Sequence, residues 1–174
     1  MTEMNDHRNS TRTEWLVKIL ARLQDRDVDV TATPLTLETV RAVVTTGDEI
    51  INEDLAAQGL GPMPDFGDDS AEVFELLEDC ELPAGGLARV EMIIKADEAV
   101  AFRHFFETTA ESHATTWNEY MNRANARGHL GRFGEAFEDY ATAESLAERQ
   151  PDQQLISDNR QRLLLRVLKE GDGG

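Results

Sequence analysis

The sequence predicts an all-α protein, a bundle of about six to seven helices. Apolar residues recur at intervals of three and four along most of the chain, which is the spacing of one face of an α-helix. A threonine or aspartate followed three residues later by glutamate, the capping-box pattern, precedes two of these periodic segments. Glycine and proline separate the segments, and the one short alternating stretch, Val28 to Ala32, has no second stretch with which to form a sheet.

Residues 1–60 predict an N-terminal helical pair. The capping pattern at Thr11 predicts the start of the first helix, which should end near Asp25. An extended linker follows. Thr36 is then expected to cap a second helix, in which Gly47 predicts a kink or a break.

Residues 61–69 are rich in glycine, proline and aspartate, and this composition predicts a loop or hinge before a C-terminal helical array, residues 70–170. The array should open with a short helix capped by Asp69, whose apolar side places Cys80 in the core. A longer helix from Leu87 is apolar over most of its circumference. We therefore expect it to be the buried central helix.

Three further helices are expected, through Trp117, Phe133 and Ile156, and residues 171–174 predict a disordered tail. Only a few residues separate these helices. Consecutive helices joined by such short connections should be antiparallel.

The stretch 117–151 carries small and aromatic residues at the spacing of a helical hairpin: Ala124, Gly131, Phe133, Ala136, Tyr140, Ala143 and Pro151. This pattern resembles one tetratricopeptide repeat, a helix-turn-helix unit of about 34 residues that recurs in protein-binding scaffolds. Arg123 and Arg127 depart from it, at positions where the family favours leucine and an aromatic residue. Because a single unit cannot bury both of its faces, the helices from Leu87 and Gln153 should pack beside it.

The resemblance implies a concave surface that binds a peptide or a helix of another protein. Four residues are expected to line this surface: Arg123, Asn125, Arg127 and Arg132. The arginines favour an acidic partner segment, since guanidinium groups bind carboxylates through paired hydrogen bonds. The alternative interpretation of the same stretch is an ordinary antiparallel pair in a helical bundle.

The charge balance is strongly acidic, with 34 acidic residues against 17 basic ones and a net charge of −17. Between Arg41 and Arg89 there are twelve acidic residues and no basic one. With only three lysines, the composition resembles that of proteins from salt-loving archaea, whose concentrated ions screen the repulsion. The other interpretation is a functional acidic face that docks on a basic partner or mimics nucleic acid. In both cases direct binding to nucleic acid is disfavoured, because that affinity comes from lysine and arginine.

The compartment predicted from the sequence is the cytoplasm, without a membrane partner. No apolar run approaches the roughly 20 residues of a membrane-spanning helix. The N-terminal residues also lack the basic start and apolar stretch of a secretory signal.

Motifs for catalysis and cofactor binding are not found in the sequence: it has no glycine-rich phosphate loop, no Gly-x-Ser-x-Gly elbow and no dinucleotide fingerprint. His104, Glu107, Glu111 and His113 are close together, but their order is not that of a di-iron or zinc site. We therefore expect no catalytic, cofactor or metal residues. The function expected is a protein-binding adaptor or assembly module. The alternatives are a structural subunit of a larger particle, for example a connector or scaffold component of a halophilic virus, and an acidic inhibitor that mimics nucleic acid. The expected partner is another protein, with a homo-oligomer as the other option.

Overall fold

A computed structural model describes residues 2–65 and 67–172 of the chain, and within them it contains α-helices joined by turns and loops, with no β-strand. The seven helices are α1 (Thr2–Asp25), α2 (Leu37–Ala57), α3 (Ser70–Glu78), α4 (Gly86–Ala110), α5 (Trp117–His129), α6 (Phe133–Leu146) and α7 (Gln150–Asp172). The predicted all-α class and the predicted number of helices are confirmed.

The chain forms two compact units, Met1–Ala101 and Phe102–Gly174. Helix α4 contributes residues 86–101 to the N-terminal unit and residues 102–110 to the C-terminal unit. The predicted division at 61–69 is not a boundary between these units. The reason is that α3, which follows this loop, buries its apolar side in the same core as α1 and α2.

Helices α1 and α2 of the N-terminal unit approach each other closely at Gly47. A Cβ atom at this position would lie 3.3 Å from Trp15 Cζ2, and the Trp15 indole Nε1 donates a hydrogen bond to the Gly47 carbonyl at 3.3 Å. The predicted break is wrong, because α2 continues through this residue. Glycine is needed at this position for the packing of the helices.

The start of α1 also differs from the prediction. The helix begins at Thr2 and passes through the predicted cap, Thr11, because no proline or glycine interrupts the segment before it. The predicted cap of α2 is confirmed, since the Thr36 hydroxyl accepts a hydrogen bond from the backbone N–H of Thr39 at 3.2 Å. In the extended linker between these helices, Val30 is buried in the core.

Two predictions of buried residues need correction. Cys80 is exposed, because α3 ends at Glu78 and the thiol then donates a hydrogen bond to the Leu76 carbonyl oxygen at 3.2 Å. Helix α4 is buried as predicted at Val90, Ile93, Ile94 and Val100, but Phe102 and Phe105 are 60% and 62% exposed. The helix is therefore a core helix only in the N-terminal unit.

Asp97 of α4 is a half-buried acid among other acids of the N-terminal unit. Burial, and after it the negative charges of Asp48, Asp69 and Glu98, together raise the pKa of its carboxyl group to about 6. Glu98 is itself paired with Arg12 at 2.9 Å. Asp97 is thus a group whose ionisation opposes folding of this unit.

In the C-terminal unit, α5 and α6 form the predicted helical hairpin. A capping box starts α5, in which Thr116 and Glu119 each accept a hydrogen bond from the other's backbone N–H. Three alanines are completely buried and allow the two helices to approach: Ala124, Ala136 and Ala143. Helix α7 packs on both helices of the hairpin. It continues to Asp172, beyond the start of the predicted tail, and Gly173 and Gly174 lie outside the described residues.

Candidate functional site

A buried ion-pair triad, formed by Arg123, Arg127 and Asp139, joins α5 and α6 of the C-terminal unit. Asp139 of α6 is 4% exposed, and its carboxylate accepts hydrogen bonds from two arginines of α5. Arg123 donates to it through Nε and Nη2 at 2.9 and 2.7 Å, and Arg127 donates through Nη1 at 2.9 Å. The two arginines lie one helical turn apart on α5, so a single carboxylate can pair with both guanidinium groups, and Glu135 lies 3.5 Å from Arg127 as a second acidic partner.

The same arginines also hold the end of α4 and the segment after it. Arg127 Nε donates to the Ala110 carbonyl oxygen at 3.1 Å, and Arg123 Nη1 donates to the Ser112 carbonyl oxygen at 3.1 Å. The pKa of Arg123 is raised above its ordinary value, chiefly by its hydrogen bonds to Asp139. The triad therefore holds the chain at Ala110 and Ser112 against the hairpin.

A groove of about 740 Å³ lies in the C-terminal unit, and it has the size of a ligand-binding site. Its walls come from the end of α4, from α5 and from α7, with one residue of α6. The lining residues are Phe105, Phe106, Thr109, Asn122, Asn125, Ala126, Gly128, His129, Tyr140, Asn159, Arg162, Leu163 and Arg166. We call it the α5–α7 groove. It contains aromatic, amide and cationic side chains and no acidic one.

Aromatic rings form one wall of the α5–α7 groove. The Phe106 ring stacks on the His129 imidazole with a centroid distance of 4.3 Å and an interplanar angle of 5°. Phe105 contacts Phe106 edge to face and remains 62% exposed. Burial lowers the pKa of His129, as does the positive charge of Arg166, so this imidazole is neutral at pH 7. The wall is thus an apolar surface open to solvent.

Basic residues of α7 form the facing wall. Arg162 and Arg166 line the groove, and Lys169 follows on the same helical face, one turn further. Arg166 Nε donates to Glu170 at 2.9 Å, an exposed pair within one turn of helix. Arg162 and Lys169 have no ion-pair partner within residues 11–65 and 67–171. We call these three residues the α7 basic stripe.

The distribution of charge makes this stripe unusual in the chain. Residues 1–101 carry 22 acidic and 8 basic residues, whereas residues 102–174 carry 12 and 9. In the N-terminal unit the arginines are used in intramolecular pairs, for example Arg22 with Glu53 and Arg26 with Glu49, both at 2.8 Å. Among the described residues, two of the exposed cations without an acidic partner lie on α7, Arg162 and Lys169, and the others are Lys18 and Arg149.

Of the four residues predicted to bind a partner, only Asn125 lines the α5–α7 groove, where its Oδ1 accepts a hydrogen bond from the Tyr140 hydroxyl. The Arg123 and Arg127 side chains are about one-sixth exposed and engaged by Asp139. Arg132 pairs with Glu111 and Glu135. The structure thus places the three arginines in bonds within the unit, and it does not bring them to the groove with Asn125.

The sequence interpretation missed the residues that give the groove its chemistry: Phe105, His129, Arg162 and Arg166. One signal for the stripe was present, since Arg162, Arg166 and Lys169 recur at the spacing i, i+4, i+7 within a nearly neutral helix of an acidic chain. The aromatic wall gave no such signal. Phe105 and Phe106 belong to a continuous apolar pattern that is typical of a buried helix.

The chain matches no family model, no curated protein and no solved structure in the comparisons made with known proteins. Among the helices described, none combines the length and the apolar character that crossing a membrane requires.

Proposed function

We propose that the C-terminal unit is a protein-binding module, and that it binds a segment of another protein in the α5–α7 groove without catalysing a reaction. The observation that carries this proposal is the lining of the groove, which has no acidic residue in a chain with twice as many acids as bases. Such a surface is complementary to an acidic segment.

The exposed aromatic wall supports the same function. Phe102 and Phe105 keep about three-fifths of their surface in contact with water, although burial of a phenylalanine side chain is energetically favourable. An exposed apolar patch with a polar rim is typical of a protein-binding site. The ion-pair triad fastens the end of α4 to the hairpin, and this reduces the conformational entropy that is lost when a segment binds.

The acidity of the N-terminal unit is a separate feature, and we propose that it adapts the protein to a cytoplasm with concentrated salt, as in halophilic archaea. Screening by salt would then stabilise this unit, while contact between apolar surfaces would remain effective in the groove.

Site-specific photo-crosslinking in the native host tests the proposed function. A benzophenone amino acid replaces Phe105 in the groove and, as the matched control, Glu138, which is exposed on α6 and outside the groove lining. We expect one protein to be linked at position 105 and not at position 138, with the linked peptide identified by mass spectrometry. Equal labelling at both positions, or none at position 105, would contradict the proposal.

Self-assembly is the second candidate function, and a specific feature favours it. Four leucines of α7 are about half exposed: Leu155, Leu164, Leu165 and Leu168. Exposed leucines on one helix can associate with copies of themselves, as a structural subunit of a larger particle requires. Light scattering after size exclusion would detect a defined oligomer, and substituting Leu164 and Leu168 by glutamine should then dissociate it. A monomer would remove this candidate.

A further inference from the structure

We infer that the segment bound in the α5–α7 groove is an acidic amphipathic helix, whose carboxylates pair with the α7 basic stripe. This inference rests on the proposed function and adds the conformation and the chemistry of the partner. It follows from the spacing of the cations, from the aromatic wall that faces them and from the state of each charged group.

The cations recur at the spacing of helical turns. Arg162, Arg166 and Lys169 are four and three residues apart on a continuous helix, which separates them by about 6.0 and 4.5 Å along its axis at 1.5 Å per residue. A second helix laid along α7 has the same rise. Carboxylates at intervals of four and three residues on that helix would therefore stand opposite each cation.

An extended segment matches this spacing less well. In an extended chain, successive side chains on one face are about 6.6 to 6.8 Å apart, so this spacing is constant, whereas the cations are separated by two different distances. Such a chain would meet Arg162 and Arg166 but would pass beyond Lys169. A helix satisfies all three cations with one register.

The aromatic wall provides the place for the apolar face of the same helix. Phe105 is exposed, and the stacked pair of Phe106 and neutral His129 continues this surface across the groove. A leucine or phenylalanine beside the carboxylates of the bound helix would cover these rings. Acidic residues on one side and apolar residues on the other define an amphipathic helix that binds in a groove.

Two of the three cations are available for a partner. Arg162 and Lys169 have no ion-pair partner among the residues that the structure describes. Arg166 forms the exposed ion pair with Glu170, donates a hydrogen bond to the Gly128 carbonyl oxygen at 3.4 Å and lies over the Phe133 ring. An exposed pair of this kind contributes little to stability, so a partner carboxylate can replace Glu170 with little loss.

The experiment uses a fluorescent synthetic peptide as the probe and the full chain as the receptor. In the peptide, glutamates are spaced four, three and four residues apart, which matches the basic stripe in both orientations, and leucine and phenylalanine occupy the neighbouring face. A second peptide has the same composition in scrambled order, and a third carries two interior prolines that prevent a helix. Binding is measured by fluorescence anisotropy, in the lowest salt concentration that keeps the chain fully helical.

We expect the first peptide to bind, to gain helicity in circular dichroism on binding, and to bind roughly tenfold more tightly than the scrambled peptide. Arg162→Glu should weaken binding by about tenfold, because it replaces attraction by repulsion at a cation of the stripe that has no ion-pair partner in the described part of the chain. Arg149→Glu is the matched control, since it makes the same charge change at an exposed arginine outside the groove. This control should leave the affinity within about twofold.

Three results would overturn the inference. Equal binding of the proline peptide would mean that the groove binds an extended acidic chain, and the proposed function would stand without the helix. Equal weakening by Arg162→Glu and Arg149→Glu would mean that only net charge matters. Failure of all three peptides to bind would reject an acidic helix as the partner, whereas photo-crosslinking at position 105 reports on the proposed function independently.

Discussion

Removing the Asp139 carboxylate should destabilise the C-terminal unit more than any other single loss of a charge there. Asp139 is buried and accepts three hydrogen bonds from Arg123 and Arg127. Asp139→Ala would leave Arg123 without an ion-pair partner and Arg127 with only Glu135, at 3.5 Å, in a site from which water is largely excluded. Removal of one partner from a buried ion pair costs about 3 to 5 kcal/mol.

The expected cost here is somewhat smaller, about 2 to 4 kcal/mol, because the arginines are partly exposed and keep their bonds to the Ala110 and Ser112 carbonyl oxygens. Replacing all three charged residues by apolar ones, Arg123→Met, Arg127→Leu and Asp139→Leu, should cost much less than Asp139→Ala alone. An apolar triad leaves no unpaired charge to desolvate.

The assay is urea unfolding followed by the fluorescence of Trp117, which contacts the core of the C-terminal unit. All variants carry Trp15→Phe, so that no signal comes from the N-terminal unit. Glu138→Ala is the control, because Glu138 is the exposed neighbour of Asp139 and should change the unfolding free energy by less than about 0.5 kcal/mol. If Asp139→Ala costs no more than this control, the triad does not stabilise the unit and the reasoning fails.

The remaining predictions concern ionisation, helix packing and salt. Because the pKa of Asp97 is about 6 in the folded chain and lower in the unfolded chain, protonation favours folding, and the unfolding free energy should rise as pH falls from 7.5 to 5. Asp97→Asn should remove this dependence and stabilise the protein at pH 7.5 by about 1 kcal/mol, a value reduced from the full effect of the pKa shift because solvent surrounds the half-exposed carboxyl group. If urea unfolding of Asp97→Asn shows the same pH profile as the wild type, this prediction is refuted. Gly128→Ala should destabilise the C-terminal unit by about 1 to 3 kcal/mol, because the new Cβ would lie 3.0 Å from Leu163 Cδ1. Gly134→Ala on α6 is the control: its Cβ would meet nothing within 4 Å, and the change should stabilise the unit by about 0.5 kcal/mol. Equal melting temperatures for these two variants would contradict the close packing of α5 and α7. Lowering the salt concentration should reduce helicity, and the N-terminal unit should unfold first because it carries most of the excess acid; circular dichroism unchanged from multimolar to low salt would remove the argument for salt adaptation.

Local patterns predicted most of the helices, because each helix needs an apolar stripe and termini that satisfy its backbone groups. The stripe through Leu16, Ile19 and Leu23 is buried as its spacing indicates, and Thr36 caps α2 as its residue type indicates. The hairpin of α5 and α6 was also predictable. Its small residues are ones that let helices approach.

The same local patterns gave wrong or incomplete results wherever a partner outside the segment decided the outcome. From its residue type alone, Gly47 could either kink a helix or allow a neighbouring helix to pack closely. It allows close packing, because Trp15, 32 residues away, contacts it. Cys80 continued an apolar spacing, but the helix had ended before it reached that residue. Phe102 and Phe105 continued the pattern of a buried helix into a region where the fold leaves one face uncovered.

The sequence by itself determined the class of the fold, the approximate positions of its helices and the excess of acid, because these follow from residue type and short-range spacing. Only the tertiary structure decided which charged groups are paired within the chain and which are exposed to a partner. Arg123 and Arg162 are the same residue type in helices of the same unit, yet Arg123 is neutralised by Asp139 while Arg162 faces the α5–α7 groove. The free energy of a charge depends on which groups surround it and how far water is excluded, and those are properties of the packed chain.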